Sequence, residues 1–218
     1  MDLKNSTKFS EDREVDTAYI ITLRNNEVSE TSAQKCIESC KTVGMNYRVW
    51  EAFDGTKGEF AIPNLLKNKE YIYWLKWLNP KMSLQEVACV YSHYSLWCHC
   101  ITIDKPIVIL EHDALMVKKF NFHAFYNCIE YLGHYDQLAT GFGGGMPYSY
   151  VMDKNWRFMS QTHAYAVDPT ICRRLVSHFV RNGITESLDI MIRLDLFPVM
   201  QKDFYAFNDP QSTSTIKK

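Results

Sequence analysis

The chain of 218 residues is long enough for one large domain with a sizeable buried core. Its apolar share of 46% is ordinary for a globular protein, and its net charge of −1 gives no general attraction to nucleic acid or to an anionic membrane. No apolar stretch reaches transmembrane length, and residues 1–17 contain no apolar core of a signal peptide, so we expect a cytoplasmic protein.

The seven cysteines predict a reducing compartment. Their number is odd and they contain no C-x-x-C pair, which argues against a disulfide framework and against a zinc ribbon. The compact group Cys98, His99 and Cys100 lies in a predicted helix, and a helix would spread these side chains around its axis. We therefore interpret the helical cysteines as small buried apolar residues.

The first 55 residues predict a β-α-β unit. An apolar strand over residues 18–23 precedes a helix over about 29–43, which stops at Gly44. A second strand over 47–53 follows, so the two strands should lie parallel and adjacent. We expect polar tails over residues 1–16 and 208–218, with a single domain over 17–207.

The middle of the chain combines an irregular aromatic segment with a long helix. The segment carries Tyr71, Tyr73, Trp74 and Trp77, for which packing in a local core is favoured over a lid or an acceptor platform.

Ser83 and Glu86 fit a capping box, which predicts a helix that runs to about Ile103 and is buried on much of its circumference. Ser92 and His93 interrupt its apolar stripe. A histidine buried at that position needs a hydrogen-bond partner.

Three candidate metal ligands follow an apolar strand that begins at Ile107. The strand leads directly into Glu111, His112 and Asp113. Ligands of open α/β sheets bind beyond the carboxyl ends of the strands. Alternation along the strand would direct Glu111 and Asp113 to one side and His112 to the other. The simpler alternative is that charged residues only terminate the strand.

The last ninety residues predict further short elements. These are a helix over about 121–132, a strand over 137–140, a glycine-rich loop over 141–145 near the ligand, a strand over 162–167, a helix that begins with Asp168 and Pro169 and runs to about Val180, a short helix over 186–196, and a strand over 203–207.

Four ordered pieces of the sequence resemble glycosyltransferase family 25, the family of lipopolysaccharide-biosynthesis and collagen galactosyltransferases. Residues 19–24 resemble its opening "INL-R" strand, and residues 50–55 its "A-x-D-G" turn. Residues 85–97 resemble its "GE-x-GC-x-x-SH-x-x-x-W" helix, and residues 108–114 its "LEDDV" strand end. A weaker fifth piece joins residues 163–167 to Leu188 and Asp189. Each piece alone is weak, but the ordered set is fairly specific.

The resemblance implies an α/β fold of the GT-A type, a Rossmann-like mixed sheet flanked by helices, which binds a nucleotide sugar beside a divalent metal. The implied metal ligands are Asp113, Glu111 and His112, with Mn²⁺ favoured and Mg²⁺ as the alternative. Arg24 suits a phosphate, although it is equally consistent with a solvated surface charge. The implied nucleotide-sugar contacts are Thr22, Leu23, Arg24, Asp54, Gly55, Ser92, His93, Glu111 and His112.

His112 departs from the family pattern, which usually reads Glu-Asp-Asp at this position. If the middle position binds the metal, an imidazole replaces a carboxylate and shifts the preference toward later transition metals. If His112 points away from the metal, the replacement is nearly neutral.

The resemblance also implies an activity. Members of the family are generally thought to invert the anomeric centre, which requires a base on the acceptor hydroxyl. Asp189 is the predicted base and Glu186 the alternative, whereas an ordinary helix-surface acid is the simpler interpretation of Asp189. The predicted reaction is metal-assisted transfer of a hexose from UDP-galactose or UDP-glucose to a hydroxyl of a glycan or lipopolysaccharide core. A non-catalytic relative that binds a nucleotide sugar or a partner, and a transferase acting on protein or modified nucleic acid, are the alternatives.

Overall fold

The computed structural model describes residues 15–56, 75–121, 127–133, 158–159 and 161–212. Within these ranges the chain forms eight strands and four helices. In chain order they are β1 (Thr17–Thr22), α1 (Glu27–Val43), β2 (Asn46–Glu51), α2 (Leu84–Ile103), β3 (Ile107–Glu111), β4 (Ala114–Met116), β5 (Ile129–Tyr131), β6 (Ala164–Val167), α3 (Pro169–Asn182), α4 (Leu188–Met191), β7 (Val199–Met200) and β8 (Ala206–Asn208).

Six of these strands form one mixed sheet in the order β2-β1-β3-β6-β5-β7. Strand β1 is parallel to both β2 and β3. Strand β6 runs antiparallel to β3 and β5, while β7 is parallel to β5. Strands β4 and β8 form a separate antiparallel pair. A mixed sheet with flanking helices confirms the predicted α/β class.

Alternate residues of the central strands pack into two different cores, one on each face of the sheet. Ile107 and Ile109 face α2 and α3, in the core that also contains Trp97 and Phe179. Val108 and Leu110 face α1 and the β4–β8 pair. Strand β3 is therefore covered on both faces, which explains why its sequence is a continuous apolar run.

The predicted β-α-β unit is confirmed in its elements and in its parallel pairing. Asn26 caps α1, since its side-chain oxygen accepts a hydrogen bond from the Ser29 N–H at 3.0 Å. Gly44 ends the helix with a positive φ of 70°, a conformation that glycine adopts without steric cost.

The predicted capping box of α2 is also confirmed. The Ser83 hydroxyl accepts from the Glu86 N–H at 3.2 Å, and the Glu86 carboxylate accepts from the Ser83 N–H at 2.8 Å. Twelve of the 20 residues of α2 are buried, as expected for a helix covered on most sides. Cys98 and Cys100 are buried in the core, whereas His99 is hydrogen-bonded to the Tyr19 hydroxyl.

Several predicted elements in the second half of the chain differ from the structure. The predicted helix over 121–132 is wrong at its end, because residues 129–131 form β5 and pair with β6 and β7. The predicted helix over 186–196 is only Leu188–Met191, and the last strand is Ala206–Asn208. Short apolar runs fit either periodicity, so pairing with distant strands decides their conformation. The helix that begins with Asp168 and Pro169 is confirmed.

Other predicted elements lie wholly or partly outside the described residues. The predicted strand over 137–140, the glycine-rich loop over 141–145 and the residues Tyr71, Tyr73 and Trp74 lie outside the described residues. Trp77 is 43% exposed and its indole N–H donates to the Asn79 carbonyl, so it does not pack in a local core. None of the described helices is long and apolar enough to cross a membrane.

Glu130 in β5 makes the stability of the fold depend on pH. Its side chain is 1% exposed, and burial raises its pKa from 4.5 to about 7. The unfolded chain therefore loses this proton at a lower pH than the folded chain. Below about pH 4.5 Glu130 is protonated in both states and the fold keeps its full stability. As the pH rises to about 7, the unfolded chain is favoured by ionisation and the fold loses stability.

We expect Glu130→Gln to remove this pH dependence. Relative to the wild type, the variant should gain up to about 3 kcal/mol in unfolding free energy between pH 4.5 and pH 7.5. Urea unfolding of both proteins across this range measures the difference. Parallel stability curves for the two proteins would show that Glu130 ionises normally in the fold.

Candidate active site

The candidate site lies where β1 and β3 end and β6 begins. Glu111 is the last residue of β3 and pairs with Ile21 of β1. Its backbone N–H donates to the His163 carbonyl at 2.8 Å, just before β6. The strand stops at Glu111, so the alternation expected from the sequence does not continue through His112 and Asp113.

Two clefts meet at this point. The first lies between the ends of β1 and β2 and the first half of α2. Glu111, His112 and Asp113 all line it, so the three residues are not divided between two sides. The rest of its lining is mainly apolar with a few polar groups, namely Ile21, Leu23, Ala52, Phe53, Gly55, Thr56, Gln85, Ala88, Cys89, Ser92 and His93.

The second cleft also borders Glu111 and Asp113. It shares Cys89, Glu111 and Asp113 with the first cleft. Its remaining lining is largely polar, with Glu86, Gln161, Thr162, His163, Ser187, Leu188, Asp189, Asn208 and Ser212. The acids at the end of β3 therefore separate an apolar cleft from a polar one.

A chain of buried contacts holds Glu111 in place. Its Oε1 accepts a hydrogen bond from the Thr162 hydroxyl at 2.8 Å and lies 3.3 Å from His93 Nε2. His93 Nδ1 is hydrogen-bonded to the Tyr165 hydroxyl at 2.7 Å, and the Trp97 indole N–H donates to the same oxygen at 3.0 Å. His93 therefore has the partner that a buried histidine requires, as the sequence predicts.

The carboxyl groups of the site differ in charge state. Burial alone would raise the pKa of Glu111, but the neighbouring His93 and the Thr162 hydroxyl hold it at about 2. Burial and the charge of Glu111 raise the pKa of Asp113 to about 7. The same two causes raise the pKa of Asp189. One carboxylate is thus kept ionised, while its neighbours are shifted toward the protonated form.

Thr162 connects two of the acids, Glu111 and Asp189. Its hydroxyl oxygen lies 2.8 Å from Glu111 Oε1 and 2.8 Å from Asp189 Oδ1. A hydroxyl has a single hydrogen to donate, so it serves only one of the two acids at a time. Asp189 is therefore linked through Thr162 to the end of β3, whereas Glu186 is exposed and does not line either cleft.

Ser92 and Gly55 fix the wall of the first cleft. The Ser92 hydroxyl accepts from the Phe53 N–H at 3.0 Å and donates to the Ala88 carbonyl at 2.8 Å, which ties α2 to the end of β2. A Cβ on Gly55 would lie 2.3 Å from the Leu84 carbonyl oxygen. The close approach of two backbones explains the glycine at this position.

Not all of the predicted nucleotide-sugar contacts line the same cleft. Leu23 and Gly55 line the first cleft, but Thr22 and Arg24 line a separate depression beside α1. Arg24 Nε lies 3.6 Å from a Glu51 carboxylate oxygen. Asp54 is not in the cleft lining, and its carboxylate accepts hydrogen bonds from the Thr56 N–H and hydroxyl.

Cys89 and Thr162 are site residues that the sequence reasoning did not single out. Cys89 is one helical turn before His93, a spacing that places both on one face of α2. That signal was present in the sequence. Thr162 reaches the site only because β6 runs antiparallel to β3, and strand direction is not visible in the sequence.

The donor groups at the end of β3 fit a divalent cation. Asp113 Oδ1 is buried and accepts no hydrogen bond from the described residues. His112 Nε2 is likewise buried without a partner in the described part of the chain, and burial lowers the pKa of this imidazole, which leaves it neutral. Carboxylate oxygens and a neutral imidazole are ligands of Mn²⁺, and carboxylates also suit Mg²⁺.

Comparison with known families identifies the chain. The profile of glycosyltransferase family 25, described as an LPS biosynthesis protein family, matches residues 15–143. The chain belongs to glycosyltransferase family 25. The match includes the strand ends, the α2 residues and the acids that form the first cleft. A search of curated proteins found no match.

Solved structures that match the chain include two of LgtC. The first is an active-site mutant of LgtC, with a TM-score of 0.45, 10% identity, and coverage of 86% of this chain and 72% of that one. The second is the galactosyltransferase LgtC in complex with donor and acceptor sugar analogues, with a TM-score of 0.43, 10% identity, and coverage of 85% and 72%.

The contact at Gly55 gives a direct test of the cleft wall. We expect Gly55→Ala to destabilise the protein by about 2 kcal/mol or more, since the added Cβ meets the backbone of Leu84. Gly44→Ala is the matched control, because an added Cβ there has open space and only its φ of 70° is unfavourable. Its cost should be about 1 kcal/mol. Urea denaturation of both variants should give this order of stability, and the reverse order would contradict it.

Proposed function

We propose that this family 25 glycosyltransferase moves a hexose, galactose or glucose, from a UDP-sugar to a hydroxyl of a glycan or lipopolysaccharide core, with a divalent cation. The observation that carries the proposal is the meeting of two clefts at Glu111 and Asp113. One cleft suits the donor, the other suits the acceptor, and the acids between them lie where the sugar would be transferred.

The first cleft suits a nucleotide. Apolar residues at the carboxyl ends of β1 and β2 line part of it, and Gln85, Thr56 and Ser92 are among its polar groups. Binding sites of open α/β sheets lie beyond such strand ends. An apolar surface with a few fixed polar groups is also the usual lining of a small-molecule site. The donor is therefore assigned to this cleft.

Glu111, His112 and Asp113 would hold the cation between the clefts. A bound divalent cation supplies Lewis-acid neutralisation of the diphosphate leaving group. The proposed metal is Mn²⁺, with Mg²⁺ as the alternative, since carboxylates suit both and a neutral imidazole favours the transition metal. The hydrogen bond from Thr162 and the contact with His93 hold the Glu111 carboxylate in position.

Asp189 is proposed as the base that takes the proton from the acceptor hydroxyl. It lines the second cleft, and its Oδ1 lies 2.8 Å from the Thr162 hydroxyl. Because burial and the charge of Glu111 raise its pKa, it is a stronger base than an ordinary aspartate. A base in the proposed acceptor cleft is what inversion at the anomeric carbon would require.

Replacement of the proposed base should separate binding from transfer. We expect Asp189→Asn to lower sugar transfer by at least about a hundredfold, with the affinity for the UDP-sugar unchanged. Transfer to a hydroxyl acceptor and donor binding by calorimetry measure the two effects. Glu186→Gln is the matched control, an exposed acid three residues away that should keep full activity. If Glu186→Gln loses transfer and Asp189→Asn retains it, the roles of the two acids are reversed.

Replacement of a proposed ligand tests the metal. We expect Asp113→Ala to abolish metal-dependent hydrolysis of the UDP-sugar while circular dichroism and thermal unfolding show an intact fold. Asp16→Ala, at an exposed aspartate outside the clefts, is the control. Retained activity would remove Asp113 from the metal site. If the wild type binds and hydrolyses no UDP-sugar with any common divalent metal, the non-catalytic alternative is favoured instead.

A further inference from the structure

A second group of potential metal ligands lies beside the proposed Mn²⁺ site. The Cys89 sulfur, a ring nitrogen of His93 and a carboxylate oxygen of Glu111 all lie within 4.8 Å of one another. Cys89 and His93 are four residues apart on α2 and therefore share one face of the helix. Glu111 approaches this face from the end of β3, and Cys89 lines both clefts, which gives a cation access.

His93 is oriented as metal-binding histidines are. It is 1% exposed, and its Nδ1 is fixed by the 2.7 Å hydrogen bond to Tyr165. Its Nε2 makes no aligned hydrogen bond with any described residue, although it lies 3.3 Å from Glu111 Oε1. A histidine that binds a metal through one nitrogen usually has its other nitrogen hydrogen-bonded in this way.

The spacing of the His93 and Glu111 ligand atoms matches a tetrahedral ion. A zinc ion with metal–nitrogen and metal–oxygen bonds of about 2.0 Å holds the two ligand atoms about 3.3 Å apart. His93 Nε2 and Glu111 Oε1 lie 3.3 Å apart in the structure. The two atoms therefore already have the separation that a shared tetrahedral ion requires.

We propose that Cys89, His93 and Glu111 form a second cation site, selective for Zn²⁺. The zinc–sulfur bond forms as the Cys89 thiol releases its proton to solvent, while His93 binds through the Nε2 lone pair and donates its Nδ1 hydrogen to Tyr165. One sulfur, one nitrogen and one oxygen favour Zn²⁺ over Mn²⁺ and Mg²⁺, which prefer oxygen ligands. The fourth position remains for water.

Occupancy of this site would inhibit transfer, and this consequence rests on the proposed function. Glu111 belongs to both ligand groups, and its Oε1 faces His93. A zinc ion bound there would withdraw Glu111 from the Mn²⁺ site and place a charge at the junction of the clefts. Binding itself does not depend on the protein being a transferase.

The test measures zinc ligation in the full-length protein. Zn²⁺ is added to the purified wild type without other metals, and X-ray absorption at the zinc edge is recorded. We expect one sulfur ligand at about 2.3 Å together with nitrogen and oxygen ligands at about 2.0 Å. A zinc ion with nitrogen and oxygen ligands only, or no stoichiometric zinc, would overturn the proposal. This measurement needs no variant and therefore does not depend on how substitutions fold.

Variants then assign the ligands. Substituted with Co²⁺, the wild type should show sulfur-to-cobalt charge-transfer absorption, which Cys89→Ser should abolish. Cys89→Ser and His93→Gln should each weaken Zn²⁺ binding by at least about tenfold. Cys98→Ala, at a buried cysteine of the same helix outside the group, should leave both properties unchanged. Sulfur absorption that survives Cys89→Ser, or that is lost in Cys98→Ala, would contradict the assignment.

The outcome is separable from that of the proposed function. If the zinc site exists but UDP-sugars are neither bound nor hydrolysed, the ligation results stand and only the inhibitory role fails. If UDP-sugars are hydrolysed but zinc has no sulfur ligand, the transferase stands and the second site fails.

Discussion

The antiparallel pairing of β6 with β3 is the constraint on which the site depends. In a wholly parallel sheet, one edge carries only the carboxyl ends of strands. Here Leu110 pairs with Ala164, and the Glu111 N–H donates to the His163 carbonyl, so the chain entering β6 lies against the end of β3. Thr162 is thereby placed between Glu111 and Asp189, which both line the second cleft.

Helix α2 is the second element that positions the site, because its polar residues connect the helix to the sheet. Ser92 binds the Phe53 N–H, and Ser95 accepts from the Trp50 indole, so the helix is fixed to the end of β2. His93 is fixed to Tyr165 of β6 and faces Glu111. Buried polar groups without partners are costly, so these bonds also specify the position of the helix against the sheet.

The local parts of this structure could be predicted from sequence, and the long-range parts could not. Residues close in sequence determine the helix caps at Ser83 and Gly44 and the apolar strand before Glu111. These features were therefore predictable. The conformation of residues 129–131 depends on pairing with β6, more than thirty residues away. The same limit applies to the approach of Thr162 to Glu111. Adjacent residues can also line different surfaces. Leu23 lines the first cleft, whereas Arg24 lines the depression beside α1.

The carboxyl groups of the site lie close together at a cost in stability. Glu111, Asp113 and Asp189 lie together, and no lysine or arginine is among the described residues that line either cleft. His163 does not compensate, because burial lowers its pKa to about 4. The fold therefore keeps Glu111 ionised while the pKa values of Asp113 and Asp189 are raised. A cation bound at this junction would relieve the repulsion among these carboxyl groups. Because such a ligand binds only the folded chain, it would also stabilise the fold.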